Sequence, residues 1–398
     1  MLSPLSNPTY ARLFMAQAIA MCGTGLATVG LALLAYDIAG ADAGRVLGTA
    51  LAIKMVAYVT LAPLAGALAQ QLPRRAFLIG LDLARAGLVA CLPFVTEIWQ
   101  IYTLIFLIQS CSAGFTPTFQ ATIPDILTDE AEYTKALALA RLAGDLESLA
   151  SPILAAAALT LVTFNAFFAF NALTFLASAA LILTVGLPIA ARRIEAIGLL
   201  QRTVGGLTAY LATPRLRGLL AISMSVAVAS AMVFVNTVVY AHGQLGRGGF
   251  ETALLLAAFG TGSMSAALVV PRVLDRFTDK AIVLSGSGAM IFGLLCGTLL
   301  PTLPGALAIW CVIGTGYSAA QLPAGRLLRR SSTPDDRPAY FAAQFSLSHA
   351  CWLFAYPLAG VLGAWIGMSA TFAVLATIAL AATIVALLIW PTEHENAS

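Results

Sequence analysis

The chain has 398 residues, 60% of them hydrophobic and 10% charged, with a net charge of +3 and a mean hydropathy of +0.91. Soluble domains average roughly 45–50% apolar and about 25% charged residues, so a soluble globular domain and a disordered chain are both excluded, and the charge gives no sign of nucleic-acid binding. The length holds about twelve spans of about 20 residues, which makes this a multi-pass membrane protein.

In chain order, apolar runs between breaks predict spans near 11–36, 45–69, 76–96, 98–120, 133–161 and 164–188. A second set follows near 217–241, 251–270, 281–300, 305–325, 338–363 and 368–390. The predicted fold is all-α: a first six-helix bundle over 1–188, a linker over 189–216 and a second six-helix bundle over 217–398. No charged leader or small-residue cleavage site is evident near the start, so the first span is expected to stay attached. Arg12, Arg74, Arg75, Lys135, Arg192, Arg193, Arg202, Arg215, Arg217, Arg272, Arg276, Lys280, Arg326, Arg329, Arg330 and Arg337 share one side under this topology, against Arg45 and Arg247 on the other. Basic residues stay cytoplasmic, which predicts both termini inside.

A shift of 205 residues superimposes the halves: Pro152 falls on Pro357, Arg75 on Lys280 and Arg12 on Arg217. Six plus six spans around a basic linker is the layout of a transporter whose bundles rock about a central site. The segment from Gly66 to Arg74 and Arg75 is similar to the G-x-x-x-D-R-x-G-R-R loop of the major facilitator superfamily, keeping the glycine and both arginines, while Asp275 and Arg276 align with the positions where the first half lacks the Asp-Arg pair. Ser151, Pro152, Ala155 and Ala156 resemble that family's exporter motif, with Glu147 in place of its first glycine. The run Asn7 to Phe14, with Pro117 and Pro124-Asp125, resembles bacterial exporters of the enterobactin-exporter type. The resemblance implies twelve spans in a pseudo-two-fold arrangement, a conformational latch at Gly66, Arg74, Arg75, Asp275 and Arg276, and a substrate cavity lined by spans one, four, seven and ten. Mapped onto this chain, the cavity candidates are Gln17, Thr24, Thr28, Gln109, Ser112, Phe115, Asn236, Tyr240, Tyr317 and Gln321.

Ionisable groups inside spans cost at least about 2.5 kcal/mol each and tend to mark substrate or proton paths. Lys54, Arg141, Asp145 and Glu147 lie well inside their spans, with Lys54, Asp145 and Glu147 at about 14–21 Å along their helices. Arg141 and Asp145 are four apart and can pair on one face. Glu147 is turned to the other side, which leaves Lys54 as its expected partner, with Asp145 competing for it. His349 can also hold a proton. Asp82 and Arg85, nearer the cytoplasmic end of span three, are assigned to the latch.

The expected protein is a monomeric proton-coupled exporter of a small organic or amphiphilic compound, drug-like or siderophore-like, in the bacterial inner membrane, working by alternating access. Its partners are the substrate, protons and the lipid bilayer; no cofactor, resident metal or enzymatic site is expected. The rival readings are a nickel-type divalent-metal exporter, for which Asp145, Glu147 and His349 would form a thin site, and a lysophospholipid transporter.

Overall fold

A computed structural model describes residues 2–39, 43–69, 71–187, 199–246 and 249–390. The linker residues Arg192, Arg193 and Glu195, and also Gln70 and Arg247, lie outside the described residues. The fold is all-helical. The first bundle comprises α1 (Pro8–Ala39), α2 (Ala43–Ala69), α3 (Arg74–Ala90), α4 (Ile98–Ile126), α5 (Glu130–Ala158) and α6 (Asn165–Leu183). After a connecting helix α7 (Leu199–Ala212), the second bundle comprises α8 (Pro214–Val239), α9 (Gly249–Val273), α10 (Asp279–Gly297), α11 (Leu303–Gln321), a short α12 (Ala324–Arg330), α13 (Arg337–Trp365) and α14 (Met368–Ile389).

Local chemistry sets the helix ends. Gln100 accepts from the backbone N–H groups of Thr96 and Glu97 at 2.8 and 3.1 Å, closing a capping box at the start of α4. The Asp129 carboxylate accepts from Glu132 N–H at the start of α5, and Thr278 accepts from Ala281 N–H at the start of α10. Gly367, at φ 81°, supplies the left-handed residue between α13 and α14. Among the described residues eleven helices are long and apolar enough to span a bilayer, and α5 falls short because Lys135, Arg141, Asp145 and Glu147 lie along it. Large apolar side chains such as Phe94, Leu161 and Trp365 are exposed on the outside, as lipid-facing residues are.

The repeat is visible in the helix starts. Arg74 opens α3 as Asp279 opens α10, and Ile98 opens α4 as Leu303 opens α11, each pair 205 residues apart. The bundles meet where α2 packs on α13 and α5 on α9. A Cβ on Gly66 would sit 2.4 Å from the Ala342 methyl, so this glycine lets α2 and α13 approach. The predicted linker is a helix over most of its described part. Tyr210 on α7 donates to Gln344 on α13, tying the connection to the second bundle.

Candidate functional site

The helix ends at the start of α1, end of α2, start of α3 and end of α4 form an arginine-rich face. There, Asp125 at the end of α4 accepts from Arg74 of its own bundle and from Arg337 of the other. Arg74 also donates to the Pro334 carbonyl at 2.8 Å. In the second bundle Arg330 pairs with Asp279 of its own bundle at 2.8 Å and with Glu130 of the first at 2.6 Å. Arg326 joins them, 3.1 Å from Asp279 and 3.2 Å from Glu130. At the 205-residue offset two positions of this layer carry opposite signs, Arg74 against Asp279 and Asp125 against Arg330. Arg75 caps the Leu183 carbonyl within its own bundle.

Two latch expectations need correcting. Asp275 and Arg276 are exposed and make no ion pair among the described residues; at this end of the second bundle the ion pairs run through Asp279 instead. Asp82 and Arg85 are not at this face at all. Arg85 lies about 17 Å along α3, paired with Asp82, which is fully buried and accepts from Ser178 of α6 at 2.7 Å. The Arg85 guanidinium sits between the rings of Phe115 and Phe175, at 4.1 and 4.4 Å.

The deep charges of α5 point two ways. Arg141 and Asp145 pair at 3.0 Å, as their four-residue spacing allows, and both reach across to Ser263 on α9 of the second bundle. Ser263 donates to Asp145 at 2.6 Å and accepts from Arg141 at 2.9 Å, while the guanidinium covers the Tyr317 ring at 4.4 Å. On the other interface Ser346 of α13 donates to the Val59 carbonyl of α2. These links, the ion-pair layer, and the hydrogen bonds from Arg326 to the Thr134 hydroxyl and from Arg329 to the Thr128 carbonyl all lie within about 22 Å of the arginine-rich ends of their helices.

The expected Lys54 to Glu147 ion pair is absent. Glu147 instead accepts from Ser151 at 3.2 Å and fits beside Gly25 of α1, where a Cβ would lie 2.2 Å from its Oε1 and 1.9 Å from Ser151 Oγ. The Lys54 ammonium sits 5.5 Å from the centre of the Tyr58 ring. Depth placed the two at one level, but the facing of α2 and α5 is set by packing that depth does not encode. His349 holds the Phe345 carbonyl at 2.6 Å through Nδ1 and contacts the Tyr58 and Trp352 rings. Asp145, Glu147 and His349 therefore do not converge, and among the described residues no group of three His, Cys, Asp or Glu is placed to hold a metal. Ser151 and Ala155 are buried on α5; the side chains of Pro152 and Ala156 lie outside the described residues.

Among the described residues, three cavities with shared lining residues lie between and beside the bundles. The central one, about 340 Å³, is bounded by Gln17, Gln120, Arg141, Gln321, Gln344 and His349 among others. A side pocket of about 150 Å³ in the first bundle shares Gln17 and Gln120 and adds Thr24, Arg85, Phe115 and Glu147. One of about 90 Å³ in the second bundle shares Gln321, Gln344 and His349. Of the cavity candidates, Gln17, Thr24, Phe115 and Gln321 line these spaces, and Tyr317 is reached through Arg141. Thr28 bonds back to the Thr24 carbonyl, Ser112 to the Ile108 carbonyl, and Gln109 accepts from Tyr58; none lines the three spaces. Asn236 and Tyr240 prove to be core residues: Asn236 donates to the Ala359 carbonyl at 3.0 Å, and Tyr240 donates to the Pro301 carbonyl at 2.7 Å beside Trp310 and Phe372. Missed from sequence were Gln120, Ser263 and the cavity role of Arg85. Only Arg85 carried a signal, an ionic i,i+3 pair in an apolar helix.

The profile of the Major Facilitator Superfamily matches residues 13–323 and 220–398. No curated protein matches by sequence. Among solved structures, the chain is similar to the human organic anion transporter MFSD10 (TETRAN), with a TM-score of 0.80 at 14% identity over 95% of this chain and 98% of that one. It is also similar to a bacterial homologue of the iron transporter ferroportin, TM-score 0.73 at 14% identity over 96% and 98%, and to the E. coli fucose:proton symporter FucP, TM-score 0.72 at 13% identity over 96% and 98%. With two six-helix bundles, an inter-bundle cavity and a profile that spans nearly the whole chain, this membrane transport protein belongs to the Major Facilitator Superfamily.

Proposed function

We propose that the protein exports a small organic or amphiphilic compound against inward protons, as a monomer in a bacterial inner membrane with the arginine-rich face and both termini in the cytoplasm. The observation that carries the reading is the pair of acids two residues apart on α5 with opposite commitments. Asp145 is held by Arg141 and Ser263 across the bundle interface, whereas Glu147 faces a cavity with a single serine hydroxyl as hydrogen-bond partner. An acid without a fixed cation is free to trade a proton for substrate. Glu147 is therefore the coupling group, and Asp145, Arg141 and Ser263 are the contact made and broken as the bundles rock. Lys54 and His349 adjust the field of the cavity. The ion-pair layer closes the cytoplasmic side, and its release exposes the cavity to substrate inside.

Glu147→Gln and Asp145→Asn, each measured for proton-driven uptake in inverted vesicles, test this assignment. Glu147→Gln should abolish the dependence on the proton gradient while leaving gradient-independent exchange; Asp145→Asn should slow both. Full pH-driven transport in Glu147→Gln would overturn the coupling role.

A further inference from the structure

The second bundle shows what the first would look like without its buried ion pair. At the 205-residue offset, Asp82, Arg85 and Ser178 fall on Ser287, Met290 and Thr383. The two sets do the same packing work: Ser178 donates to Asp82 at 2.7 Å, and Ser287 and Thr383 share a hydrogen bond at 2.6 Å. Met290 is fully buried where Arg85 stands in the first bundle. Neutral hydroxyls and a thioether thus suffice to join these helices, and a buried ion pair is weak support for a fold. Asp82 and Arg85 are there for another purpose.

The difference between the bundles is the side pocket. Arg85, 6% exposed, lines it, with one nitrogen held by Asp82, the Phe115 and Phe175 rings packed on the guanidinium, and a buried Nε that has no hydrogen-bond partner. The guanidinium is fixed in orientation with donors uncommitted, the arrangement that binds carboxylates. Glu147 lines the same 150 Å³ space. An anion alone would meet the Glu147 carboxylate there, and a cation alone would meet Arg85.

We propose that this pocket takes substrate as a zwitterion, its carboxylate on Arg85, its ammonium on Glu147 and its apolar body against Phe115, Phe119 and Phe175. This rests on the coupling role of Glu147 above and deepens it: the ammonium occupies the site that the proton takes in the return half of the cycle, so the two compete. Gln17 and Gln120 line both this pocket and the central cavity, so movement of their side chains would give a larger tail room.

The test uses the full chain in lipid nanodiscs and three probes of one shape: phenylalanine, 3-phenylpropanoate and phenethylamine, with affinities read by calorimetry. Phenylalanine should bind at least about tenfold more tightly than either partner, the effect of one charge-assisted hydrogen bond. Arg85→Gln should erase its advantage over phenethylamine, and Glu147→Gln its advantage over 3-phenylpropanoate. The double variant Asp82→Ser/Arg85→Met, which copies the second bundle, should keep the wild-type melting temperature and lose the carboxylate preference. Equal affinities across the wild-type series, no binding of any probe, or an unchanged preference in the double variant would overturn the proposal. Proton-driven flux of some other compound beside such a failure would leave the transport reading intact. Zwitterion binding with no proton-linked flux would do the reverse.

Discussion

The ion pair of Arg141 and Asp145 on α5 is joined to the second bundle through the Ser263 hydroxyl, deep within the helices, and each of the three depends on the others. Asp145 is 8% exposed, so deleting its cation leaves a buried charge unpaired. Arg141→Met should cost about 3–5 kcal/mol of stability, and Ser263→Ala, which leaves the ion pair, about 1.5–3 kcal/mol; thermal unfolding in detergent measures both. The difference separates charge compensation from the hydrogen bond. At this scale the sequence was partly legible. The Arg141 and Asp145 pair could be read because a helix fixes the relative direction of residues four apart. The Lys54 and Glu147 pair could not, because partners on different helices depend on the rotation of each helix about its own axis. Asn236 and Tyr240 failed for the same reason: their helix was identified, but the side they present to the core was not.

Among the elements, the spanning helices were legible to within a few residues because lipid demands long uninterrupted apolar runs. α7 and α12 were not, since one is amphipathic and the other has only seven residues. The close approach of α1 to α5 was also hidden, because it depends on a carboxylate seated against a glycine. Gly25→Ala would place its methyl on the Ser151 hydroxyl and the Glu147 carboxylate, which should cost about 1–3 kcal/mol in a thermal melt and reduce transport with it. The same substitution at Gly80, whose Cβ would meet nothing within 4 Å, should leave the melt unchanged.

For the molecule as a whole, closure at the arginine-rich face is carried by a few shared charges. Asp125→Asn would leave Arg74 and Arg337, 4% and 6% exposed, facing one another without their common anion. If closure loses about 1–3 kcal/mol, the population open at this face rises roughly five- to 150-fold. A cysteine at Ser348, on the central cavity wall, should then react correspondingly faster with an impermeant maleimide applied to inverted vesicles. The opposite signs at corresponding positions have a further result for assembly. Two copies of the first half docked face to face would set Asp125 against Glu130, and two copies of the second would set Arg330 against Arg337. Expressed as separate polypeptides carrying different affinity tags, the halves should co-purify as mixed pairs and not as like pairs. Charge complementarity thus makes each half a fitting partner for the other and a poor one for its own copy.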